Sequence, residues 1–441
     1  MFLTGMKQVL ISLFKEEHTL TEVRTSIERY LKFCRIYSPK QPSPLGTLIY
    51  STTVYLILQT LFLVLKFWTK WNFNSRVSAI ESLNFTFGVV FLSSDLYLMP
   101  EKTEILTQMI EAGYYLHQKY VHLVEKSLYI EKCRFIEKTE LESVKSANSV
   151  KFALIGLYLS YLTTPVFGTI FHLLKIIPLQ KLTLPLIIQI PYRSDPFIFT
   201  HTYQFLFLAL FQVVYILYTA VMTVAIFQVC FLAVNNVLTE IQLFVMCLKE
   251  MNLNFGEYVV EERREKEGTY VREERIEKDG SCERNAVLKL IINDISKHHQ
   301  FIFRKIRILN TGFRYRLFYV NTFVCLQLCF ALFCFQKGEF GEKLRYGFLS
   351  VAIIIASHVF YENGQRLQDE SEKLELALYD CCWIAKPRYF SSCLKILMTR
   401  TTKTPKIVSF NIFTLNRNNL KIVVQAAYSY FNFLERSSKI N

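Results

Sequence analysis

Long apolar segments alternate with charged segments along the whole chain. A helix needs about 20 apolar residues to cross the hydrocarbon core of a bilayer, and most of these segments reach that length. The segments are residues 45–65, 82–99, 152–174, 197–239, 317–336, 346–361 and, more weakly, 407–434. The pattern predicts an all-α membrane protein with seven transmembrane helices.

Basic residues are concentrated in every second connection between these spans. With seven crossings, 37 Lys and Arg residues fall on the side of the amino terminus and 11 on the opposite side. Basic connections stay in the cytoplasm, so we expect a cytoplasmic amino terminus and an extracellular carboxyl terminus. This orientation is the reverse of that of a G-protein-coupled receptor.

Composition and cysteine placement agree with a membrane bundle. The 441 residues are 51% hydrophobic with a mean hydropathy of +0.23, which argues against a soluble protein of several domains. The net charge of +14 lies in segments that flank apolar spans, so a cytoplasmic membrane surface explains it better than nucleic acid does. In the expected orientation no extracellular loop contains any of the 11 cysteines, so we expect reduced thiols.

The chain divides into four regions by composition. These are a cytoplasmic amino-terminal segment (1–44), the first six spans (45–361), a cytoplasmic helical region (362–406) and the seventh span with an extracellular tail (407–441). The first region has the pattern of an amphipathic helix that lies on the inner leaflet. The third region ends near Pro405, because proline terminates helices.

The cytoplasmic loop 240–316 is the longest connection. Its segment 257–283 contains many charged residues of both signs and few apolar ones, so we expect a disordered insert there. From residue 284 onward, apolar residues recur at helical spacing, which predicts that the fifth helix extends into the cytoplasm. The segment 100–146 predicts similar extensions of the second and third helices. Such extensions can pack together as an anchor domain where subunits meet.

An ordered set of residues near the carboxyl terminus carries a family resemblance. It consists of Gly364-Gln365, Ser371, Leu374, Ala377, Tyr379, Trp383, Pro405, Phe413 and the run Ala427-Tyr428-Ser429-Tyr430-Phe431. The set resembles the insect odorant receptor family, whose members end in such a series. The sister gustatory receptors typically end in Thr-Tyr, an apolar run and Gln-Phe, and this sequence lacks that ending.

The resemblance implies an odorant-gated, non-selective cation channel in the plasma membrane of olfactory sensory neurons. Members of the family assemble as heterotetramers of odorant-tuning subunits and a shared odorant receptor co-receptor, and this chain is similar to a tuning subunit. The resemblance also implies that the seventh helix lines a central pore and that cytoplasmic helix ends join the subunits. The implied anchor residues are Gly364, Tyr379, Trp383 and Pro405.

The last span carries polar residues along one side of a helix. They recur at steps of three or four residues: Asn418, Lys421, Gln425, Ser429, Asn432 and Arg436. Polar side chains avoid hydrocarbon, so this stripe faces either a pore or other helices, to which it would hydrogen-bond. The resemblance favours the pore and implies an outer gate at Phe433, Arg436 and Ser437. A ring of arginines would oppose the passage of cations.

Candidate ligand-binding residues come from the outer halves of the spans, where the resemblance implies an odorant pocket among helices two to six. They are Leu83, Thr86, Phe87, Val90, Leu159, Thr163, Phe207, Phe211, Tyr346, Ser350 and Ile353. Small volatile odorants offer mainly apolar surface, so a pocket of aromatic and aliphatic groups with few hydroxyls would suit them. Each of these side chains could instead pack in the core or face lipid.

Motifs of other protein classes do not occur in the sequence. It contains no phosphate-binding glycine loop, no nucleophile elbow and no His or Cys spacing of a metal site, so we expect neither an enzyme nor a cofactor. The open alternatives are a gustatory-type sister channel, a transporter of small organic molecules and a G-protein-coupled receptor. Internal repeats, which are common in transporters, are not visible.

Overall fold

Helices form nearly all of the described structure. The computed structural model describes residues 2–34, 44–67, 73–98, 100–111, 113–115, 126–175, 184, 186, 201–256, 276–337, 340–381, 383, 386–402 and 405–440. Their helices are α1 (Phe2–Phe14), α2 (Leu20–Phe33), α3 (Pro44–Phe67), α4 (Phe73–Leu98), α5 (Pro100–Glu111), α6 (Lys126–Leu173), α7 (Thr202–Gly256), α8 (Ile276–Lys337), α9 (Phe340–Tyr379), α10 (Arg388–Thr401) and α11 (Arg417–Ile440). Strands β1 (Val408–Ser409) and β2 (Phe413–Thr414) form an antiparallel hairpin before α11.

The first six predicted apolar spans coincide for most of their length with α3, α4, α6, α7, α8 and α9, and the seventh overlaps α11 from Arg417 onward. Among the described residues, three helical stretches are long and apolar enough to cross a membrane, namely Thr47–Lys66, Thr202–Asn252 and Ala286–Lys337, and a shorter apolar stretch covers Ala79–Ser93. The prediction of a mostly helical protein is confirmed.

Four helices are much longer than a bilayer requires. Helices α6, α7, α8 and α9 contain 48, 55, 62 and 40 residues. At 1.5 Å per residue they measure about 60–90 Å, whereas a hydrocarbon core is only about 30 Å thick. The predicted extension of the third and fifth helices beyond their spans is therefore present.

Helix α7 runs through the centre of the bundle. Its residues 202–239 include no charged side chain, and a helix that is apolar on all sides has to be surrounded by protein or lipid. Residues such as Ile216, Val224 and Val229 are fully buried. Helix α7 contacts α2, α4, α5, α6, α8 and α9, so it organises the packing of the other helices.

The amino-terminal helices pack against this bundle. Lys151 of α6 is fully buried, forms an ion pair with Glu17, and donates a 2.5 Å hydrogen bond to the Lys15 carbonyl. Asn148 donates a 2.7 Å hydrogen bond to the Glu17 carbonyl. Tyr30 of α2 donates a 3.2 Å hydrogen bond to the Ser12 hydroxyl of α1, and burial raises the pKa of Tyr30 to about 12. These contacts fix α1 and α2 to the long helices, although one face of α1 stays exposed.

Three boundaries differ from the sequence-based expectations. The predicted seventh span begins at 407, but the hairpin occupies 408–414 and α11 starts only at Arg417. The hairpin turns at Phe410 and Asn411, whose φ angles are 50° and 59°, a left-handed geometry that ends regular structure. Helix α5 is separate from α4 and starts at Pro100, a favoured first helical position. Of the predicted disordered insert, residues 257–275 lie outside the described residues, while Ile276 begins α8.

The start of α11 is held by specific contacts to α8 and α9. Arg417 binds Glu362 with both arms of its guanidinium, including a 2.6 Å hydrogen bond from Nε, and this pairing lowers the pKa of Glu362. Asn419 donates a 3.3 Å hydrogen bond to Asn321. Gly364 packs so closely that an added Cβ would lie 2.3 Å from the Leu415 carbonyl oxygen.

We expect Gly364→Ala to destabilise the protein, because the new methyl group would displace the backbone that leads into α11. Overpacking of this kind costs about 1–3 kcal/mol. Melting of the detergent-solubilised protein, followed by fluorescence-detected gel filtration, would measure the loss. Gly156→Ala is the matched control, since no atom outside its own helix lies within 4 Å of the added Cβ. Equal melting temperatures for the two variants would contradict the proposed close packing.

Candidate functional site

A cavity of about 120 Å³ lies between five helices of the bundle. A site for one water molecule needs roughly 10–15 Å³ by the same measure, so a small organic molecule fits. The lining residues are Phe85, Gly88, Val89, Phe91 and Leu92 of α4; Leu154, Leu157, Tyr158 and Tyr161 of α6; Thr223, Ile226, Phe227 and Cys230 of α7; Arg316, Tyr319, Val320, Phe323 and Val324 of α8; and Ile353, Ala356, Ser357 and Phe360 of α9.

The lining is largely aromatic and aliphatic. On α4, α6 and α7 it extends over two turns of helix, or about 10 Å along the axis. Several rings support one another, such as Phe85 and Tyr161 at a centroid distance of 4.9 Å and Phe91 and Tyr319 at 4.3 Å. Such a surface binds a ligand mainly by removing apolar area from water.

Several polar groups in the lining already have partners within the protein. The hydroxyl groups of Tyr158 and Thr223 lie 2.6 Å apart. The Tyr161 hydroxyl accepts a 2.7 Å hydrogen bond from Gln327. Because these polar groups already form hydrogen bonds within the protein, they form part of the cavity wall and do not require a polar ligand.

Gly88 limits the volume of the cavity on the α4 side. An added Cβ at this position would lie 2.6 Å from a ring atom of Phe323. The absence of a side chain at Gly88 therefore allows the Phe323 ring to lie against α4. The two residues set how much space remains between α4 and α8.

Most of the residues chosen from the sequence for ligand binding are not part of the cavity lining. Ile353 belongs to the lining. Tyr346 is buried and donates a 2.7 Å hydrogen bond to Glu81, while Ser350 donates to the Tyr346 carbonyl. Phe207 is 71% exposed, and Leu159 and Phe87 are also exposed.

The remaining candidates lie on neighbouring faces of the same helices. Thr86 is buried and bonds to the backbone of its own helix, Leu83 and Val90 are half-buried, and Phe211 stacks on Tyr215 at 6.1 Å. The Thr163 side chain lies outside the described residues. On α7, α8 and α9 the cavity occupies the half of each predicted span nearer the long loops, which is the inner half in the expected orientation. The candidates were taken from the outer halves.

Sequence reasoning missed most of the lining because it did not determine which face of each helix points inward. On α4 the lining residues follow the spacing Phe85, Val89 and Leu92, which is one side of a helix. The candidates Thr86 and Val90 are each one position farther along the chain and therefore point elsewhere. Arg316, at the boundary of a predicted span, was not considered.

Helix α11 has a buried face and a polar, exposed face. Val423 and Ala427 are buried against the bundle, and α11 contacts α8 and α9. On the opposite side of the helix, Gln425, Ser429 and Arg436 are exposed, and Asn432 is half-buried. Phe433 is 67% exposed, and the Ser437 side chain lies outside the described residues. This chain alone therefore leaves the predicted pore stripe uncovered.

The predicted anchor residues fall into two groups. Gly364 and Pro405 are buried, where they shape the packing around the hairpin. Tyr379 and Trp383 are 66% and 43% exposed. Exposed aromatic side chains of this size are typical of surfaces that meet another protein.

A buried ionic network joins α7, α8 and the segment after α5. The ammonium group of Lys305 donates hydrogen bonds to Glu240 at 2.7 Å, to Asn236 at 2.8 Å and to the Gly113 carbonyl at 3.1 Å. Glu240 also accepts a 2.9 Å bond from the Tyr115 amide and lies 2.9 Å from His298. Among the described residues, no group of three or more His, Cys, Asp and Glu is placed to bind a metal.

Comparisons with known proteins agree on one family. A family model described as 7tm odorant receptor matches residues 113–428. Odorant receptor 49a of Drosophila melanogaster is 24% identical over 145 residues, which are 32% of this chain and 36% of that relative.

Two solved structures of olfactory receptor OR5 from Machilis hrabei share the fold. The complex with eugenol matches with a TM-score of 0.67 and 13% identity over 98% of this chain and 97% of that chain. A second structure of the same receptor matches with a TM-score of 0.67 and 12% identity over 94% and 98%. At these identities the likeness concerns the fold.

We expect Lys305→Met to destabilise the protein strongly, because it leaves the buried Glu240 carboxylate without its ammonium partner. Breaking a buried pair in this way costs about 3–5 kcal/mol, and the double variant Glu240→Gln/Lys305→Met should recover part of the loss. Thermal melting would measure both effects. The matched control is Lys32→Met, which removes the exposed pair with Glu28 and should have little effect. Additive losses in the double variant would contradict a direct pairing.

Proposed function

Because the chain belongs to the 7tm odorant receptor family, we propose that it is the odorant-tuning subunit of a ligand-gated, non-selective cation channel. The other subunits are copies of an odorant receptor co-receptor, and the heterotetramer lies in the plasma membrane of olfactory sensory neurons. The subunit crosses the membrane seven times, with its amino terminus in the cytoplasm. The family is one of receptors rather than of enzymes.

The apolar cavity between the helices is the observation that carries this proposal. It is lined mostly by apolar groups from five helices and has room for a small organic molecule. Burial of apolar area stabilises a complex by about 25 cal/mol per Å², so a small volatile compound can gain useful affinity there. We place odorant binding in this cavity, on the inner side of the pocket expected from the sequence. The related fold of OR5 from Machilis hrabei has been solved in complex with eugenol.

The exposed polar face of α11 supports the proposed pore. Gln425 and Ser429 lie opposite the residues that α11 buries, so four subunits could present this stripe to a common axis. Water in such a pore would satisfy the polar groups that lipid could not. Arg436 lies on the same side of α11. In a heterotetramer with co-receptor subunits, fewer than four of these arginines would lie around the pore.

Helix α8 offers a direct connection between the cavity and the proposed pore. Val320 and Phe323 line the cavity, while Asn321 of the same turns accepts the hydrogen bond from Asn419 of α11. A ligand that fits better when α8 moves would therefore also shift α11. Opening then follows from the difference in ligand affinity between the closed and open arrangements.

We expect odorant-evoked currents when this chain and the co-receptor are expressed together in oocytes under voltage clamp. The currents should persist when G-protein signalling is blocked. A positively charged thiol reagent should reduce them in Gln425→Cys, because the new thiol would face the pore. Val424→Cys is the matched control, since residue 424 is exposed on a different side of α11. Currents that require a G protein, or equal modification of both variants, would contradict the proposal.

Gly88→Ala should reduce the size of odorant that the channel accepts. The added methyl group would push the Phe323 ring into the cavity, so larger odorants should lose potency more than smaller ones. Dose–response curves for a homologous series of odorants would measure the change. Gly156→Ala controls for the effect of alanine in a helix. An equal loss of potency for all odorants of the series would indicate that Gly88 does not limit the volume of the cavity.

A further inference from the structure

We propose that the Arg316 end of the cavity hydrogen-bonds a carbonyl or ester oxygen of the ligand, through Arg316 and Ser357. The inference rests on the proposed function, because it names the class of molecule that the same cavity binds. The expected ligand is a small apolar compound with one ketone, aldehyde or ester group, rather than a pure hydrocarbon.

The guanidinium group of Arg316 lies at the cavity wall. Arg316 is 5% exposed and belongs to the lining. One Nη donates a 2.6 Å hydrogen bond to the Thr103 hydroxyl, and the other lies 3.5 Å from the sulfur of Cys230, which also lines the cavity. A guanidinium carries five N–H donors in a rigid fork. These two contacts help to fix the orientation of the guanidinium beside the cavity.

Ser357 lies at the same level of the bundle as Arg316. Helices α8 and α9 follow each other after a short connection and run antiparallel, with Phe330 beside Tyr346 and Phe313 beside Phe360. This register places Arg316, one turn beyond Phe313, next to Ser357, one turn before Phe360. Phe360 also contacts Phe227 of α7, one turn from Cys230. The two polar groups thus belong to one end of the cavity.

The Ser357 hydroxyl differs from other hydroxyl groups nearby. Ser350, on the same helix, donates a hydrogen bond to the Tyr346 carbonyl, and Tyr158 and Thr223 bond to each other. Within the described residues, Ser357 has no such bond, although it is only 5% exposed. Its hydroxyl group can therefore donate a hydrogen bond to a ligand oxygen at this position without breaking one within the described part of the protein.

The rest of the lining selects an apolar ligand body. Val89, Phe323, Val324 and Ile353 of the lining contribute only hydrocarbon. An oxygen at one end of the ligand can therefore accept hydrogen bonds while the remainder packs against apolar groups. Hydrogen bonds from charged donors are stronger than neutral ones, which favours Arg316 as the main contributor.

A pair of ligands with the same shape tests this inference in the purified full-length protein. Octan-2-one and 2-methyl-1-octene differ by an oxygen in place of a methylene group. Each compound competes with the fluorescent apolar probe N-phenyl-1-naphthylamine for the cavity, which gives its affinity. The ratio of the two affinities is then compared between variants. Because the two compounds differ in hydration by the same amount in every experiment, this difference does not affect the comparison. We expect the preference for the ketone to fall about tenfold or more in Arg316→Met and about threefold in Ser357→Ala. Arg316→Lys, which keeps a charged donor, should fall between wild type and Arg316→Met.

Ile353→Val is the matched control, because it changes the apolar wall on the same helix as Ser357. It should alter both affinities alike and leave their ratio unchanged. If Arg316→Met does not fold, the ratio in Ser357→Ala decides the question. An unchanged ratio in the folded variants would overturn the inference, even if odorant-evoked currents support the proposed function. A shifted ratio without any such currents would support the inference and count against the channel.

Discussion

The burial of α7 is the constraint on which the rest of the structure depends. Its long uncharged segment has apolar residues on every side, so neighbouring helices surround it and exclude water. The six helices that contact α7 include the four that line the cavity with it, namely α4, α6, α8 and α9. The position of the cavity is thus a consequence of how these four helices pack around α7.

Close packing and open space are set by a few small residues. Gly364 lets the Leu415 backbone approach α9, and Gly88 lets the Phe323 ring approach α4. The first contact fixes where α11 begins, while the second limits the volume available to a ligand. Because α8 takes part in both regions, through Asn321 on one side and Phe323 on the other, the cavity and the proposed pore helix share one rigid element.

Two buried lysines are paired with carboxylates. Lys151 meets Glu17, and Lys305 meets Glu240 within a network that includes Asn236 and the Gly113 carbonyl. Unpaired charges in such positions would be strongly destabilising. These pairs connect the amino-terminal helices and the segment after α5 to the long helices. They stabilise the part of the bundle beyond the predicted spans, where Tyr379 and Trp383 are exposed.

The sequence by itself determined the helical class, the segments in which helices occur, the long extensions and the family resemblance. Hydrophobic length and periodicity are local properties, and the series from Gly364 to Phe431 is readable as letters. Only the tertiary structure decided which face of each helix lines the cavity and that Arg316 and Ser357 lie together. It also decided that a hairpin with left-handed residues Phe410 and Asn411 precedes α11. These features depend on the rotation and register of helices that are distant in sequence, and periodicity alone does not specify either.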